Sequence, residues 1–280
     1  MIPYQFPGGV AVLTGAASGI GRALAVDLAR RGSHLALIDR DEAGLSTLAA
    51  ELRRQHPGLR VSAHVHDLGE TAGIPELADA VLREHRRVTL LINNAGVALG
   101  GTFEEVTLEE FEWVQGVNFR AVVALTKAFL PALRAELHPQ IVNVSSLYGL
   151  LAPVGQSAYA ASKFAVRGFS EALRHELAPR GIGLTVVHPG GVRTNIAHNA
   201  RLGSGVNAAE ALAGRQAMNR VLRLDPARAA QVILHAAEHR RPRVLVGTDA
   251  RVLDLIARAL PGTYWAVIGR LMAARLRPRH

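Results

Sequence analysis

The fold is decided by one stretch, "VAVLTGAASGIGRALAVDLARRG" at residues 10–32. It opens with a short β-branched and leucine-rich run, which is typical of a buried strand. Gly15, Gly19 and Gly21 follow, and the chain continues as a helical pattern. Glycines let the backbone approach a diphosphate, and the free amides and positive dipole of a helix N-terminus favour its charge. This order indicates a dinucleotide site, although the glycines alone also suit a tight turn without a ligand.

Six more short apolar runs alternate with helical patterns along the chain. They are "HLALID" (34–39), "RVSAHVHD" (60–67), "VTLLINN" (88–94), "QIVNVSS" (140–146), "LTVVHPG" (184–190) and "RVLVGT" (243–248). Such alternation implies right-handed crossovers and a parallel sheet covered on both faces. The sequence therefore predicts an α/β fold with seven strands in one doubly wound layer and an irregular segment at 190–225.

Composition favours a single domain. The chain has 280 residues, is 49% hydrophobic and can bury one large core. It has no cysteine, which excludes disulfides, thiolate metal sites and a cysteine nucleophile. The N-terminus lacks the features of a signal peptide, and no uninterrupted apolar run reaches the roughly 18 residues of a spanning helix. We therefore expect a cytoplasmic protein.

The second run ends in a carboxylate that bears on the choice of dinucleotide. Asp39 lies near the usual distance from the glycines for a residue that binds the adenosine ribose hydroxyls. Its charge would repel a 2′-phosphate, which favours NAD over NADP. Arg40 and Arg22 argue the other way, because either could neutralise that phosphate. We predict NAD, with NADP as the alternative.

The segment "SAYAASKFAVRGFS" (157–170) carries Tyr159 and Lys163 four residues apart. Residues at this spacing project from the same face of a helix. Of the 32 lysines and arginines only Lys127 and Lys163 are lysines, which suggests that a lysine is kept where a compact ammonium is needed; Lys127 is interpreted as a surface cation. A solvated lysine beside a surface tyrosine is the alternative reading of an isolated Tyr-x-x-x-Lys.

Together these motifs resemble those of the short-chain dehydrogenases/reductases over about the first 250 residues. The matches, in order, are TGxxxGxG at 14–21, Asp67-Leu68, NNAG at 93–96, Asn118, Ser146, YxxxK at Tyr159 and Lys163, and Pro189-Gly190 with Thr194. The resemblance implies one Rossmann-type domain over 1–250. Residues 251–280 are predicted to form a C-terminal amphipathic helical extension.

The resemblance also implies roles for four catalytic residues. Tyr159 would be the general acid/base, exchanging a proton with the substrate oxygen while hydride moves to or from nicotinamide. Lys163 would stabilise the phenolate, because a free phenol titrates near pH 10, and would bind the nicotinamide ribose. Ser146 would position the substrate oxygen, and Asn118 would hold a proton-relaying water. Ser145 is the adjacent alternative, but the thirteen-residue spacing to the tyrosine selects Ser146.

A larger set of residues would hold the cofactor if the resemblance holds. These residues are Gly15, Ser18, Gly19, Ile20, Gly21, Asp39, Arg40, Asp67, Leu68, Asn94, Ala95, Gly96, Tyr159, Lys163, Pro189, Gly190, Val192 and Thr194. No metal site is predicted. His64 and His66 share a strand face at a spacing that a metal pair could use, but the neighbouring site needs no metal.

The loops after strands four, five and six are expected to face the substrate, because open parallel sheets bind ligands at this edge. They read "VALGGTF" (97–103), "LYGLLAPVG" (147–155) and 190–225, and they are mostly aliphatic. A hydrophobic secondary alcohol or ketone is the predicted substrate. The apolar helices at 104–136 and 158–178 predict a homodimer or homotetramer. A dinucleotide-binding regulatory protein without turnover is the rival hypothesis.

The tail at 251–280 combines an apolar stripe with arginines, and the net charge of +9 comes from residues 215–280. Leu253, Ile256, Ala257 and Leu260 share one helix face before Pro261. Such a segment could pack as a lid or subunit interface, which we favour, or lie on an anionic membrane surface. Nucleic acid is not an expected partner, because no recognition motif accompanies the charge.

Overall fold

The structure is a computed structural model, and it describes residues 2–194, 196, 199–207 and 222–269. Residues 208–221 of the predicted irregular segment lie outside these ranges. So do residues 270–280 of the predicted tail.

Seven strands form one parallel sheet, as the sequence predicted. In chain order the strands of the protein are β1 Val10–Thr14, β2 His34–Asp39, β3 Val61–Val65, β4 Leu90–Asn93, β5 Leu99–Gly100, β6 Gln140–Val144, β7 Gly183–Pro189, β8 Arg201–Leu202 and β9 Arg243–Val246. The large sheet has the order β3-β2-β1-β4-β6-β7-β9, and every neighbouring pair in it is parallel. The short strands β5 and β8 pair with each other beyond its carboxyl edge.

Eight α-helices are described. They are α1 Gly19–Arg30, α2 Glu42–Gln55, α3 Ile74–His85, α4 Leu108–Gln115, α5 Ala121–Arg134, α6 Ser157–Leu177, α7 Pro226–Glu238 and α8 Thr248–Ala259. The apolar faces of α1, α2 and α7 pack on one side of the sheet, and those of α3 and α5 pack on the other. Successive strand residues alternate between the two cores, as Leu13 and Val12 do.

The helices α4 and α5 are joined by a π-helical turn at Gly116–Arg120, so that 108–134 is one continuous helix. By length and composition alone this helix could cross a membrane, with a mean hydropathy of 1.2 over an 18-residue window that is 44% buried. Core helices of other proteins meet the same criterion. Here the turn places the fully buried Asn118 against the protein interior.

The topology sets the position of a ligand site. After β3 the chain crosses to the other side of β1 and continues in β4, so the connections that follow β1 and β4 lead away from each other. A crevice opens at such a switch point, outside the carboxyl ends of the strands. The glycine loop follows β1 and the NNAG segment follows β4, so both lie at this crevice.

Candidate active site

The glycine loop is as tight as its sequence indicates. Gly15 and Gly19 have φ values of +66° and +53°, which glycine adopts without strain. A Cβ at Gly21 would lie 1.8 Å from the Gly15 carbonyl oxygen, and one at Gly15 would lie 2.8 Å from the Cα of Ala95. Glycine is therefore required where the loop passes the first turn of α1 and the segment after β4.

The first turn of α1 offers free amides to an anion. Ser18 is the N-cap residue, but its side chain makes no capping hydrogen bond, and the residue is exposed. Its neighbour Ile20 is half-buried beside the loop. The first amides of a helix lack intrahelical partners, and a helix N-terminus without a side-chain cap suits a diphosphate. The glycine cradle and the uncapped helix therefore fit a dinucleotide.

Asp39 is fixed beside this loop. Its Oδ2 accepts a hydrogen bond from the Ala17 amide at 2.9 Å, and its Oδ1 accepts one from the Asp41 amide at 3.1 Å. The two neighbouring cations are paired with other carboxylates. Arg40 lies 3.8 Å from Asp67, and Arg22 bonds to Glu51 at 2.5 Å.

The NNAG segment is held against the glycine loop. The Thr14 hydroxyl accepts hydrogen bonds from the amides of Asn94 and Ala95, both at 3.0 Å. The Asn94 side chain donates to the carbonyls of Thr14 and Gly15 at 3.0 and 3.3 Å. Leu68, which was also predicted to contact the cofactor, is buried in a core cluster. The structure thus brings the two glycine-containing motifs together.

The segment after β7 closes the crevice from the other side. A Cβ at Gly19 would lie 3.1 Å from the Thr194 side chain, which places Thr194 beside the phosphate loop. Asp249 of α8 accepts a hydrogen bond from the Gly191 amide at 2.7 Å, and a Cβ at Gly190 would meet its carboxylate. Pro189 and Val192 are buried on either side of this contact.

The four predicted catalytic residues converge at the carboxyl edge of the sheet. Tyr159 and Lys163 lie on α6, and both are buried. Ser146 makes a side-chain hydrogen bond with Tyr159. A Cβ at Gly96 would lie 3.3 Å from both the Asn118 Oδ1 and the Lys163 Nζ, so these two side chains flank the NNAG segment.

Burial dominates the titration of the tyrosine and the lysine. It raises the pKa of Tyr159 to about 12, against the hydrogen bond from Ser146 that lowers it. Burial also lowers the pKa of the Lys163 ammonium to about 8. The Lys163 Nζ lies 5.7 Å from the centre of the Tyr159 ring and donates to the Val144 carbonyl at 3.2 Å. The expected lowering of the tyrosine pKa by Lys163 does not outweigh burial in this geometry.

The two adjacent serines have different partners. Ser145 is buried, and its hydroxyl donates to the Lys163 carbonyl at 2.8 Å. The Ser146 hydroxyl accepts a bond from the Tyr148 amide at 3.1 Å and meets Tyr159. Ser145 therefore fixes the helix that carries the lysine, whereas Ser146 faces the tyrosine.

Asn118 binds the backbone of the loop after β4. Its Oδ1 accepts from the Val97 amide at 2.8 Å, and its Nδ2 donates to the Val97 carbonyl and the Ser162 hydroxyl, both at 3.0 Å. A π-turn, as at Gly116–Arg120, is often found at functional sites. It places the Asn118 amide against Val97, at the start of the loop after β4.

Two residues outside the predicted catalytic set lie next to the site. His188 is fully buried, and its Nδ1 donates to the Ser146 carbonyl at 3.0 Å. Burial lowers the pKa of His188 to about 4, so the ring is neutral near pH 7 and holds the Ser146 backbone without carrying a positive charge. Tyr148 packs edge-on against Tyr159 with ring centres 6.0 Å apart. The only signal for His188 in the sequence is its position directly before Pro189-Gly190.

The histidines and the second lysine that the sequence set aside lie elsewhere. His64 bonds to the Ser62 hydroxyl at 2.7 Å, and His66 bonds to the Glu70 carbonyl at 3.2 Å, so the two imidazoles have different partners. Lys127 is exposed on α5.

Comparison with known proteins agrees with this geometry. The family model of the short chain dehydrogenases matches residues 9–205. The chain belongs to the short-chain dehydrogenase/reductase family. A Mycobacterium tuberculosis protein named "Putative oxidoreductase SadH" is 40% identical over 269 residues, which are 94% of this chain and 95% of that protein. The dehydrogenase/reductase SDR family member 7B of Xenopus tropicalis is 35% identical over 95% of this chain and 85% of its own.

Solved structures of the short-chain dehydrogenase/reductase family share the fold and hold nicotinamide dinucleotides. A Burkholderia phymatum member in complex with NAD has a TM-score of 0.83 and 33% identity, covering 92% of this chain and 95% of its own. A Sphingobium yanoikuyae member in complex with NADPH has a TM-score of 0.74 and 30% identity, covering 97% and 96%. This chain is therefore an oxidoreductase of that family with its doubly wound fold.

Proposed function

We propose that this short-chain dehydrogenase/reductase transfers hydride between NAD and a hydrophobic secondary alcohol or ketone. The observation that carries the proposal is the hydrogen bond of Ser146 to the buried Tyr159, one helical turn from the buried Lys163. The nicotinamide of the bound dinucleotide supplies or accepts the hydride. A panel of apolar alcohols and ketones, read by nicotinamide absorbance with both cofactors, tests the proposal, and no turnover of any member would contradict it.

The residues of the chain handle the proton. In ketone reduction the Ser146 hydroxyl donates a hydrogen bond to the substrate oxygen and holds it beside the phenol. The Tyr159 hydroxyl gives its proton to that oxygen as the carbon receives hydride. A phenol whose pKa is raised to about 12 stays protonated at neutral pH, ready to act as the acid. Lys163 favours the phenolate that remains, and Asn118 connects the site to solvent through a bound water.

A regulatory protein that only binds a dinucleotide is the rival proposal. Binding requires the glycine loop, Asp39 and the segment after β7, but not the contact between Ser146 and Tyr159. Both side chains lie at the substrate crevice next to the lysine. The presence of Asn118, Ser146, Tyr159 and Lys163 together therefore favours an enzyme over a protein that only binds a dinucleotide.

We propose NAD rather than NADP, and an Asp39→Ala variant tests this preference. Asp39 is anchored by two backbone amides beside the loop, whereas Arg40 and Arg22 are paired with other carboxylates. Removing the repulsive charge should shift the ratio of kcat/KM values toward NADP by about tenfold or more, because two charges 4 Å apart interact by several kcal/mol near a protein surface. Steady-state kinetics with both cofactors measures the ratio.

A Glu51→Gln variant is the control for that experiment, since it frees Arg22 and keeps Asp39. It should retain the preference for NAD. A natural preference for NADP, or a switch caused by Glu51→Gln alone, would show that Asp39 does not set the choice.

The substrate proposal rests on the apolar rim of the crevice. Phe103 and Val154, from the loops after β4 and β6, are 73% and 76% exposed. The amide of Gly101 donates to the Gly155 carbonyl at 3.1 Å, so the two loops lie side by side. Leu147, Leu150 and Leu151 form the buried side of the second loop. Exposed apolar side chains around a polar centre suit a hydrophobic substrate.

The tail supports the proposal of a lid. Ile268 and Trp265 pack in one cluster with the leucines of the 147–151 loop, and the Tyr264 hydroxyl accepts a hydrogen bond from the Ala152 amide at 3.1 Å. Asp254 anchors α8 to β9 through Arg243, with bonds of 2.5 and 3.1 Å. The opposite face of α8 exposes Val252 and Leu255, at 57% and 69%. This second face is the one that a membrane surface would contact in the alternative proposal.

Variants on the two faces of the tail separate a lid from a membrane contact. Tyr264→Phe removes the hydrogen bond from the Ala152 amide in the loop after β6. It should raise KM for a bulky ketone roughly 2- to 10-fold, as expected for one hydrogen bond. Val252→Ser with Leu255→Ser leaves that bond intact and should not change KM. Steady-state kinetics and sedimentation of anionic liposomes measure both. Loss of liposome binding in the double variant, with an unchanged KM for Tyr264→Phe, would favour the membrane and contradict the lid.

We also propose a homodimer or homotetramer, in line with the resemblance. The helix at 108–134 supports it, because less than half of its apolar window is buried within the chain. Sedimentation velocity of the unmodified protein measures its oligomeric state directly. A stable monomer at micromolar concentration would contradict this proposal. The cytoplasmic location stays a prediction.

A further inference from the structure

A second cluster of ligand-type side chains ends α7, in the stretch "HAAEH" at residues 235–239. His235, Glu238 and His239 each offer one ligand atom, and these atoms all lie within 4.8 Å of one another. Their spacing of three and four residues places them on one face of the helical turn. The two imidazole rings have centres 4.2 Å apart.

Local contacts orient each of these groups. The His239 Nδ1 donates to the His235 carbonyl at 2.9 Å, which leaves its Nε2 as the lone-pair nitrogen. Such a bond from the second ring nitrogen is the usual support of a metal-bound histidine. One Glu238 oxygen contacts Arg31 at 3.3 Å, and the other is available as a ligand. Arg31 also reaches Asp27 at 3.4 Å, so it keeps a partner if Glu238 turns to an ion.

We propose that His235, Glu238 and His239 bind one Zn²⁺, with water in the remaining position. Two imidazoles and one carboxylate are a borderline donor set that prefers Zn²⁺, Ni²⁺ or Cu²⁺ to Mg²⁺ or Ca²⁺. Ligand atoms around one tetrahedral Zn²⁺ lie roughly 3.3 Å apart, given bond lengths of about 2.0–2.1 Å. Both histidines are exposed, so small side-chain rotations can close the cluster from its present spacing.

The site lies at the amino edge of the sheet, opposite the catalytic crevice. The Tyr4 amide donates to the Glu238 carbonyl at 2.8 Å, and Tyr4 precedes β1. Arg240 follows the cluster and donates to the carbonyl of Pro139, which precedes β6, at 3.0 Å. Zn²⁺ would therefore clamp the last turn of α7 and stabilise the folded chain by mass action, without entering the reaction.

Titration of the tag-free full chain with ZnCl₂, followed by calorimetry, tests the proposal. We expect one Zn²⁺ per chain and a melting temperature that rises with ZnCl₂ but not with MgCl₂. His235→Ala and His239→Ala should each weaken binding about tenfold or more and remove the rise. His175→Ala, which removes an exposed histidine of α6, is the matched control and should bind as the unchanged protein does.

A spectroscopic readout keeps the test independent of the variants. Co²⁺ bound at this site should give the visible absorption of a low-coordinate cobalt ion, and ZnCl₂ should displace it. Absence of Zn²⁺ binding, or binding that survives both His235→Ala and His239→Ala, would overturn the proposal. Turnover is not used as a readout, so failure here leaves the proposed oxidoreductase activity untouched.

Discussion

Tyr159→Phe should fold, bind NAD and lose turnover. The variant keeps the buried ring and its edge-on contact with Tyr148, and it removes only the hydroxyl that bonds to Ser146 and that we propose exchanges the proton. General acid–base catalysis contributes roughly 10²- to 10⁴-fold, so kcat should fall by that factor. Nicotinamide absorbance gives the rate, and the quenching of protein fluorescence gives the affinity for NAD.

Tyr148→Phe is the matched control for this experiment. Tyr148 faces the same pocket, and burial raises its pKa as well. The Ser146 hydroxyl, however, accepts a hydrogen bond from the backbone amide of Tyr148 and not from its phenol. The control should retain kcat within a few-fold. If Tyr148→Phe abolished turnover and Tyr159→Phe did not, the acid would be Tyr148 and the assignment from the YxxxK spacing would be wrong.

The order of strands and helices could be predicted because both faces of the sheet are covered. A strand such as Val10–Thr14 is buried along its whole length, and neighbouring residues such as Val12 and Leu13 enter different cores. Such a strand appears in the sequence as an unbroken apolar run. The tight turn of the glycine loop could also be predicted, because the clash that a Cβ at Gly21 would make with the Gly15 carbonyl is a local property of the turn.

Features that depend on distant partners could not be predicted. The apolar pattern of 108–134 is that of one regular helix, whereas the π-turn accompanies bonds from Asn118 to Val97, 21 residues away. His188 and Ser146 are 42 residues apart in the chain, and only the fold joins them. The spacing of Tyr159 and Lys163 showed that they share a face, but not that burial would raise the tyrosine pKa. The contact of the tail with the 147–151 loop likewise depends on where the fold places that loop, which the sequence pattern does not show.

Lys163→Arg should lose activity even though the positive charge is kept. The Lys163 side chain is only 3% exposed, and its Nζ lies between the Val144 carbonyl and the space beside Gly96. A planar guanidinium is larger than an ammonium and directs its donors along fixed lines, so it cannot take this position without moving its neighbours. Misplacement of a catalytic group by about 1 Å can cost about 100-fold, and we expect a loss of kcat/KM of at least that size.

The chain provides its own control, because its other lysine is exposed on α5. Lys127→Arg makes the same substitution outside the site and should leave both kcat/KM and the affinity for NAD unchanged. Measured side by side, the two variants separate a requirement for geometry at Lys163 from a general effect of replacing lysine. Burial lowers the pKa of Lys163 to about 8, so an arginine would also keep its charge at pH values where the lysine begins to lose its own. A Lys163→Arg variant as active as the unchanged protein below pH 8, and more active above it, would therefore show that charge, and not shape, is what the site requires of this residue.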